Sequence, residues 1–424
     1  MKQLKEFLDF AVTPYHTVEA LKTTLEKAGF KDAKDFSGLE LGKSYFATRA
    51  GTSIFAFTLP AKISSETVFH IAVAHSDFPG LRLAPNCDSF DVSGHTLHPE
   101  VYGSPILSTW FDRDLGIAGN IVTSDLKQHV FRDDCLCRIP NLAIHLTRTA
   151  NPQQQINKQE ELNALADFEE CLEEHLSKFI PSENNDKHSF IASSQNKILS
   201  YDARLFDKAA TDISTNGTLI SSGRLDNLLS AEAAVRALVN SKDSNSINIA
   251  CVFDHEEIGS KSREGAGGNL LQANIAKIWN ALGQSETSLY KVFEKSFTLS
   301  MDAAHAVHPG HLNAHDKGNQ PRLGFGSVLK INANKRYATD VYSEAYFKKI
   351  AHDIALQTFV SRNDIACGST VGPTLSAALG IPTLDIGAPI LSMHSIRETA
   401  HVEDFFNLQK CAEAVFKAEE PFPF

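Results

Sequence analysis

The apolar residues of this chain are grouped in short, nearly continuous runs that predict buried strands. The four clearest runs cover residues 68–74, 247–253, 297–301 and 381–386. Runs without polar alternation are typical of strands covered on both faces, as in α/β sheets. Segments with helical periodicity, such as residues 228–239, lie between the runs. We therefore expect an α/β core in which a central mixed sheet is flanked by helices.

Two further regions show a helical pattern of apolar residues. The first 30 residues predict two amphipathic helices that are separated at Pro14. Residues 162–176 predict a surface helix, because large apolar residues recur there at helical spacing with acidic residues between them. The polar stretch 181–189 that follows predicts a loop.

Residues 87–197 differ from the rest of the chain. They contain glycines, prolines and short β-like runs such as "AGNIVTS" and "LCRIPNLAIHL". We expect this segment to form an inserted, β-rich domain. The α/β domain would then be discontinuous and would consist of residues 1–86 and 198–424.

The charge and the cysteines narrow the class of protein. The net charge is −11, from 40 basic and 51 acidic residues, and no basic block is present. A nucleic-acid partner is therefore not expected.

No apolar run approaches the roughly 18 residues of a membrane span, and the start of the chain lacks the pattern of a signal peptide. The seven cysteines are scattered, and Cys135 and Cys137 are too close for an ordinary disulfide, so we expect reduced thiols and a cytoplasmic location.

Polar side chains lie at the ends of all four predicted strands, and the fourth strand carries Asp385. His75 and Asp77 follow the first, Glu256 and Glu257 the second, and Asp302 the third. In open α/β sheets, ligands bind beyond the carboxyl ends of the strands. Solvated loops would also explain each acidic residue singly, but the repeated pattern favours a common site.

Two more residues complete a candidate metal centre. Asp226 precedes a predicted helix, where an N-cap is the simple alternative, and His394 follows the fourth run. Two imidazoles and three carboxylates suit zinc or another divalent first-row metal, and a bridging carboxylate would allow two ions. The proposed ligands are His75, Asp226, Glu257, Asp302 and His394.

The neighbours of these ligands indicate how catalysis would proceed. Glu257 can bind a metal ion while the adjacent Glu256 accepts a proton from the attacking water. Asp77 lies two residues after His75 and could orient its imidazole.

A glycine-containing turn, "CGSTVGP", precedes a predicted helix. Gly368, Ser369 and Thr370 could present backbone amides to a substrate carboxylate or an oxyanion, and a simple turn with a helix cap is the alternative.

A run of four histidines lies within residues 305–315. We expect a structural or supporting role for these histidines rather than a further metal site.

Several motifs give the chain a specific likeness to a known family. They are "AHSD", "TWFDRDL", "IPNLAIHL", "SGRLDNL", "DHEEIGS", "MDAAHAVHP", "KINANKRYAT", "CGSTVGP" and "MHSIRE", and they run nearly end to end in the family's order. With them the chain resembles the aspartyl aminopeptidase family of dinuclear zinc metallopeptidases.

The resemblance implies a role for each residue of the candidate centre. Asp226 in the motif "SGRLDNL" would bridge two metal ions. His75 and Asp302 would hold one ion, and Glu257 and His394 the other. The ions would be zinc, with cobalt or manganese as alternatives. Glu256 would be the general base.

The resemblance also implies a substrate and an assembly. The substrates would be peptides with an acidic N-terminal residue, and Lys330 in "KINANKRYAT" would face the acidic side chain. The inserted segment 87–197 would be a dimerisation domain. Dimers would build a homo-dodecamer, in which His145 of "IPNLAIHL" reaches the active site of a neighbouring subunit.

Three positions depart from the family's pattern. They are Phe78, Ala84 and Ser104, all close to the start of the inserted segment. None of them removes a proposed ligand, but they leave the preference for acidic residues open. The alternatives are an aminopeptidase of broader specificity, a related amidohydrolase, or a metal-binding scaffold without catalysis. The presence of Glu256 counts against the scaffold, because metal binding alone needs no free base.

Overall fold

The computed structural model describes residues 1–146, 155–181, 197–242 and 244–423. The predicted loop 181–189 lies outside these residues except for Pro181. The chain divides into two compact units, which we call the α/β unit and the barrel unit. The α/β unit consists of Met1–Phe78, Thr211–Met393 and Arg397–Phe424, and the barrel unit consists of Pro79–Ala210 and His394–Ile396.

Helices and strands alternate along most of the described residues. In chain order, the α-helices are α1 (Lys2–Phe10), α2 (Pro14–Lys27), α3 (Leu172–Ser177), α4 (Leu225–Val239), α5 (Leu270–Ala281), α6 (Glu286–Lys295), α7 (Val341–Ile350), α8 (Val371–Leu379) and α9 (Val402–Phe416). The strands are β1 (Lys31–Asp32), β2 (Ser44–Arg49), β3 (Ser53–Thr58), β4 (Phe69–His75), β5 (Gly80–Asp91), β6 (Gly94–Tyr102), β7 (Leu115–Thr123), β8 (Gln128–Arg138), β9 (Ala164–Ala166), β10 (Ile198–Asp207), β11 (Asp212–Ile213), β12 (Leu219–Ser222), β13 (Ile247–Phe253), β14 (Phe297–Met301), β15 (Ala304–His305), β16 (Ser327–Ile331), β17 (Leu356–Val360), β18 (Thr383–Gly387), β19 (Pro389–Leu391) and β20 (Glu398–His401).

A nine-stranded mixed sheet forms the centre of the α/β unit. Its strand order is β1-β2-β3-β13-β4-β14-β18-β16-β17. The four predicted apolar runs correspond to β4, β13, β14 and β18, which are adjacent and parallel in this sheet. The carboxyl ends of these four strands therefore lie at one edge. A smaller sheet, β11-β12-β20-β19-β15, belongs to the same unit.

The central strands are buried because side chains on both of their faces are covered. Along β13, Ala250 and Val252 pack into one apolar cluster that includes α4 and α9, and Ile249 and Cys251 pack into another that includes α5 and α8. Alternate residues of a strand point to opposite faces, so a strand between two helical layers must be apolar throughout. The predicted α/β fold with a mixed sheet flanked by helices is confirmed.

The two predicted N-terminal helices are confirmed as α1 and α2. Pro14 occupies the first position of α2, where its missing N–H costs no intrahelical hydrogen bond. The hydroxyl of Thr13 caps this helix by accepting a hydrogen bond from the amide of His16.

The barrel unit contains a closed barrel of six strands in the order β10-β5-β6-β9-β8-β7. Leucine, isoleucine and phenylalanine side chains from these strands fill its apolar core. Gly119 lies where β7 pairs closely with β10, and a Cβ atom there would be 1.8 Å from the carbonyl oxygen of Asp202. A larger residue at position 119 would therefore force the two strands apart.

The predicted surface helix over residues 162–176 is wrong in its first half. Residues Ala164–Ala166 form β9, which pairs with β6 and β8 and completes the barrel, and helix α3 covers only Leu172–Ser177. The apolar residues recur at helical spacing, but the backbone groups of β6 and β8 require partners from this segment. That tertiary requirement outweighs the local periodicity. In the part of the chain described, no helix has the length and apolarity to cross a membrane.

Candidate metal centre

The polar residues predicted at the strand ends meet at the carboxyl edge of the large sheet. His75 is the last residue of β4, and Asp302 directly follows β14. Glu256 and Glu257 follow β13 in a short 3₁₀ turn. The strands are parallel neighbours, so these side chains are brought together although they are far apart in sequence.

Four of the five predicted metal ligands form a compact group. The Nε2 atom of His75 lies 3.7 Å from a carboxylate oxygen of Asp226 and 3.7 Å from one of Asp302. Ligand atoms of His75, Asp226 and Glu257 all lie within 4.8 Å of one another. The fifth predicted ligand, His394, belongs to the barrel unit, where its Nδ1 atom is 3.1 Å from the carbonyl oxygen of Ser104.

Asp77 holds three of the other residues of this centre in place. Its two carboxylate oxygens accept hydrogen bonds from the amides of Glu256 and Glu257, at 3.0 and 3.1 Å. Its carbonyl oxygen lies 2.9 Å from Nδ1 of His75. A hydrogen bond at Nδ1 fixes the orientation of the imidazole, so the other ring nitrogen faces the carboxylates of the group.

The backbone around Asp226 is held in an unusual conformation at the start of α4. Asp226 and Asn227 have non-helical φ and ψ angles inside the first turn, and the N-cap position belongs to Arg224. The amide of Asp226 donates to the carboxylate of Glu398 at 3.0 Å, and the side chain of Asn227 donates to the carbonyl oxygen of Met301 at 2.9 Å.

The electrostatics of this group favour a bound cation. Burial and the nearby carboxylate of Asp226 raise the pKa of Glu257 well above its usual value, and burial raises the pKa of Glu256 to about 8. Burial alone would lower the pKa of His75, but the carboxylates of Asp302 and Asp77 outweigh burial and raise it. Several acidic groups are thus crowded in a buried space. A divalent cation among them would stabilise their ionised forms, and the imidazole and carboxylates are ligands that zinc accepts.

Lys330 is buried beside the same group. Its ammonium nitrogen lies 3.6 Å from a carboxylate oxygen of Asp302 and 5.4 Å from the centre of the Tyr337 ring. Burial alone would raise the pKa of Asp302, but Lys330 and His75 lower it below its usual value. The positive charge of Lys330 is therefore part of the charge balance of the site.

The predicted glycine-containing turn lies just before α8. The hydroxyl of Ser369 donates to the carbonyl oxygen of Arg336 at 3.0 Å, and the hydroxyl of Thr370 donates to Asp385 at 2.6 Å. Gly372 packs so closely on Asp385 that a Cβ atom would be 2.5 Å from its carboxylate. The two hydroxyls thus hold the turn in place, so the backbone amides are its candidates for binding a substrate.

A cavity of about 380 Å³ opens beside this turn in the α/β unit. Gly368, Tyr337 and Arg362 line it together with the four histidines of the run, His305, His308, His311 and His315. A ring nitrogen of His315 accepts a hydrogen bond from the amide of His308 at 3.0 Å, so this histidine shapes the loop.

His145 is exposed in a turn of the barrel unit. Leu142, Ile144 and Leu146 around it have exposed fractions of 56, 50 and 74%. His145 therefore lies on the surface of its unit, in an apolar environment.

Sequence reasoning missed the supporting role of Glu398, and it noted Asp385 only as a polar residue at a strand end. Glu398 is 2% exposed and accepts the amide hydrogen of Asp226. Asp385 is fully buried and accepts hydrogen bonds from Thr370 and from the amide of Ala338. Glu398 is the last residue of the motif "MHSIRE", and its presence in that motif could have indicated it as a site residue from the sequence.

A buried imidazole surrounded by carboxylates, at the carboxyl ends of adjacent parallel strands, is typical of metal-dependent enzymes of the α/β class. The chain belongs to the family described as "Aminopeptidase I zinc metalloprotease (M18)", whose sequence profile matches residues 7–416. It is a metalloaminopeptidase. The predicted relationship to this family is thereby confirmed.

Named relatives agree with this assignment. A "Probable M18 family aminopeptidase 2" from Pseudomonas savastanoi pv. phaseolicola is 36% identical, over 98% of this chain and 98% of the relative. The solved complex of Ape4 and Nbr1 contains a chain with 35% identity and a TM-score of 0.86, matched over 97% of this chain and 84% of that chain. A yeast mApe1 dodecamer gives 25% identity and a TM-score of 0.82, over 98% of this chain and 95% of that chain.

Proposed function

We propose that this aminopeptidase removes N-terminal Asp or Glu from peptides, with two divalent metal ions and with Glu256 as the general base. The observation that carries the acidic preference is the burial of Lys330, which is 3% exposed. Its neighbour Tyr337 lines the cavity of about 380 Å³. A buried ammonium group requires negative partners, and a substrate carboxylate would be one of them beside Asp302.

The proposed metal ligands divide between two ions. His75 and Asp302 would hold one ion, Glu257 and His394 the other, and Asp226 would bridge them. Zinc is the metal in the family's description, and cobalt or manganese would fit the same donors. When bound, the ions would polarise the scissile carbonyl and acidify the attacking water.

The residues of the chain itself would position the substrate and move the proton. Glu256 would take a proton from the attacking water and pass it to the leaving amino group. The hydrogen bonds from both glutamate amides to Asp77 support this division of roles, because they fix the main chain between Glu256 and Glu257. The amides of Gly368, Ser369 and Thr370 would bind a carboxylate or the oxyanion.

We further propose that the active enzyme is a homo-oligomer, a dodecamer built from dimers. The related yeast protein forms a dodecamer. The inserted segment 87–197 would be the dimerisation domain within a catalytic domain formed by residues 1–86 and 198–424. The exposed apolar residues around His145 support an interface there, because contiguous apolar patches mark sites of association.

The proposed location is the cytoplasm. All seven cysteines are free thiols, and free thiols are typical of a reducing compartment. The departure at Phe78 concerns a core residue. Phe78 is buried in the apolar core of the α/β unit, and the guanidinium group of Arg224 lies 5.6 Å from its ring.

The test is a panel of chromogenic amides with different N-terminal residues, measured on the unchanged enzyme and on Lys330→Ala. We expect the unchanged enzyme to prefer Asp and Glu. Lys330→Ala should lower kcat/KM for these substrates at least about tenfold more than for Ala or Leu, because losing one partner of a buried pair costs about 3–5 kcal/mol before water enters. Metal content is measured in parallel.

Lys348→Ala is the matched control, because Lys348 is an exposed lysine on α7. It should leave the substrate preference unchanged. Lys330 also contacts Asp302, so loss of metal would lower the rates on all substrates together. An equal loss on every substrate would assign Lys330 to the metal centre alone. A preference of the unchanged enzyme for apolar N-termini would support the alternative of a broader aminopeptidase.

A further inference from the structure

A second group of side chains that could bind a metal ion lies in the barrel unit, and it includes none of the residues proposed for catalysis. Strand β8 carries Asp133, Cys135 and Cys137 at alternate positions. Side chains two residues apart point to the same face of a strand, so the carboxylate and both thiols share one face. The interpretation of the two cysteines as ordinary reduced thiols overlooked this arrangement.

The spacing of the two sulfur atoms fits a shared metal ion. The Sγ atoms of Cys135 and Cys137 are 4.0 Å apart. Two thiolates bound to one zinc ion at about 2.3 Å in a tetrahedron are about 3.8 Å apart. A disulfide would require the sulfur atoms to approach to about 2.05 Å. Cys137 is fully buried in the apolar core of the barrel unit.

A histidine faces the same group from α3. The Nε2 atom of His175 lies 2.6 Å from a carboxylate oxygen of Asp133, and its Nδ1 atom lies 2.7 Å from a carboxylate oxygen of Glu170. The ammonium group of Lys178 contacts the same carboxylate of Glu170. A carboxylate at Nδ1 orients a metal-binding imidazole and leaves Nε2 for the metal.

The surrounding contacts hold these side chains in position. The other carboxylate oxygen of Asp133 accepts the amide hydrogen of Cys135 at 3.1 Å. The ring of His175 stacks on that of Phe168 at a centroid distance of 3.9 Å. Ligand atoms of Asp133, Cys135 and His175 all lie within 4.8 Å of one another. Three of the four donors are thus close to one another, and the fourth, the thiol of Cys137, lies 4.0 Å from that of Cys135.

We propose that Asp133, Cys135, Cys137 and His175 form a structural zinc site in the barrel unit. Two thiolates, one imidazole and one carboxylate complete a tetrahedron, so no position remains for a substrate. Zinc would displace one proton from each thiol and the proton that lies between His175 and Asp133, and these protons pass to solvent. The site links β8 to α3, two elements that are separated in the chain.

The competing interpretation is an imidazolium ion that bridges Asp133 and Glu170. That interpretation accounts for the contacts of His175, but it assigns nothing to the paired thiols of Cys135 and Cys137. The two interpretations differ in one measurable property, which is thiolate coordination of a metal.

The experiment uses the full-length, fully reduced protein, from which metals are removed with a chelator and to which Co²⁺ is then added. The candidate catalytic ligands are nitrogen and oxygen donors, so a Co²⁺–thiolate charge-transfer band can come only from a cysteine site. We expect one thiolate-bound Co²⁺ per chain, in addition to any Co²⁺ bound at the candidate catalytic centre. The double variant Cys135→Ser, Cys137→Ser should lose the band and bind one ion fewer.

Cys171→Ser is the matched control, because Cys171 is an exposed cysteine of the same unit next to α3. It should keep the band. Asp133→Asn retains both thiols and should weaken Co²⁺ binding at least about tenfold, which provides a second measurement if the double variant does not fold. A fully reduced, unchanged protein without a thiolate band would overturn the proposal, and so would a band that survives in a folded double variant.

Discussion

At the scale of single residues, Asp77 holds two adjacent glutamates for which we propose different roles. Its carboxylate binds the amides of both Glu256 and Glu257, so the turn after β13 has one orientation. Glu257 belongs to the compact group with His75 and Asp226. Glu256 is placed beside that group, where a base would accept the proton of the attacking water.

Glu256→Gln should therefore retain the fold and the metal content but lose most of the turnover. The amide side chain keeps the size of the carboxylate and cannot accept the proton, and general base catalysis is typically worth about 10²–10⁴-fold. The measurements are kcat and metal analysis of the purified variant. Glu257→Ala is the comparison and should lose metal. Metal loss from Glu256→Gln to the same extent would mean that the two roles are reversed.

At the scale of elements, the pairing of β14 with β18 positions Asp302. The amide of Asp302 donates to the carbonyl oxygen of Ile386 at 2.9 Å. Gly387 at the end of β18 lies so close that a Cβ atom would be 1.7 Å from the carbonyl oxygen of Asp302. The absence of a side chain at position 387 is thus required by the approach of the two strand ends.

Gly387→Ala should lower both stability and metal affinity. The added methyl group must displace the backbone of Asp302, and overpacking of a core typically costs about 1–3 kcal/mol of unfolding free energy. The checks are the denaturant midpoint and the metal content. Gly318→Ala is the control, because its Cβ atom would meet its nearest neighbour, an oxygen of Asp316, at an ordinary 3.5 Å. Unchanged metal content in Gly387→Ala would show that Asp302 tolerates this displacement.

At the scale of the whole molecule, the proposed dodecamer would make each active site depend on a neighbouring subunit. His145 is exposed on its own unit, which is what a residue acting on another subunit requires. His145→Ala should lower activity without removing metal. Mixing inactive Glu256→Gln with inactive His145→Ala under conditions of subunit exchange should restore part of the activity, because mixed assemblies contain sites with both residues intact.

The control for this mixing experiment is His352→Ala, which removes another exposed histidine and should remain active. Mixing His145→Ala with itself should restore nothing. A fully active monomer isolated under native conditions would rule out a shared site.

Much of the α/β unit could be predicted from local patterns. The four apolar runs are the four central parallel strands, because burial on both faces leaves a continuous apolar signature along each strand. The clustering of His75, Asp302 and Glu257 follows from the same pattern, since parallel neighbours end at one edge. The apolar pattern alone does not decide which residue of each polar pair faces the group, because that depends on hydrogen bonds such as those of Asp77. The choice of His75 and Glu257 came from the chemistry of the residues and from the resemblance to the family.

Contacts between segments that are distant in the chain were decided by the tertiary structure alone. Residues Ala164–Ala166 have a helical pattern but form β9, because the edges of β6 and β8 pair with their backbone. Glu398 supports Asp226 from 172 positions away in the chain. His175 of α3 and Cys135 of β8 come from separate elements and lie close together in the folded chain. The sequence by itself determined which surfaces must be buried, whereas the pairing of backbone groups and the placement of side chains from separate elements required the folded chain.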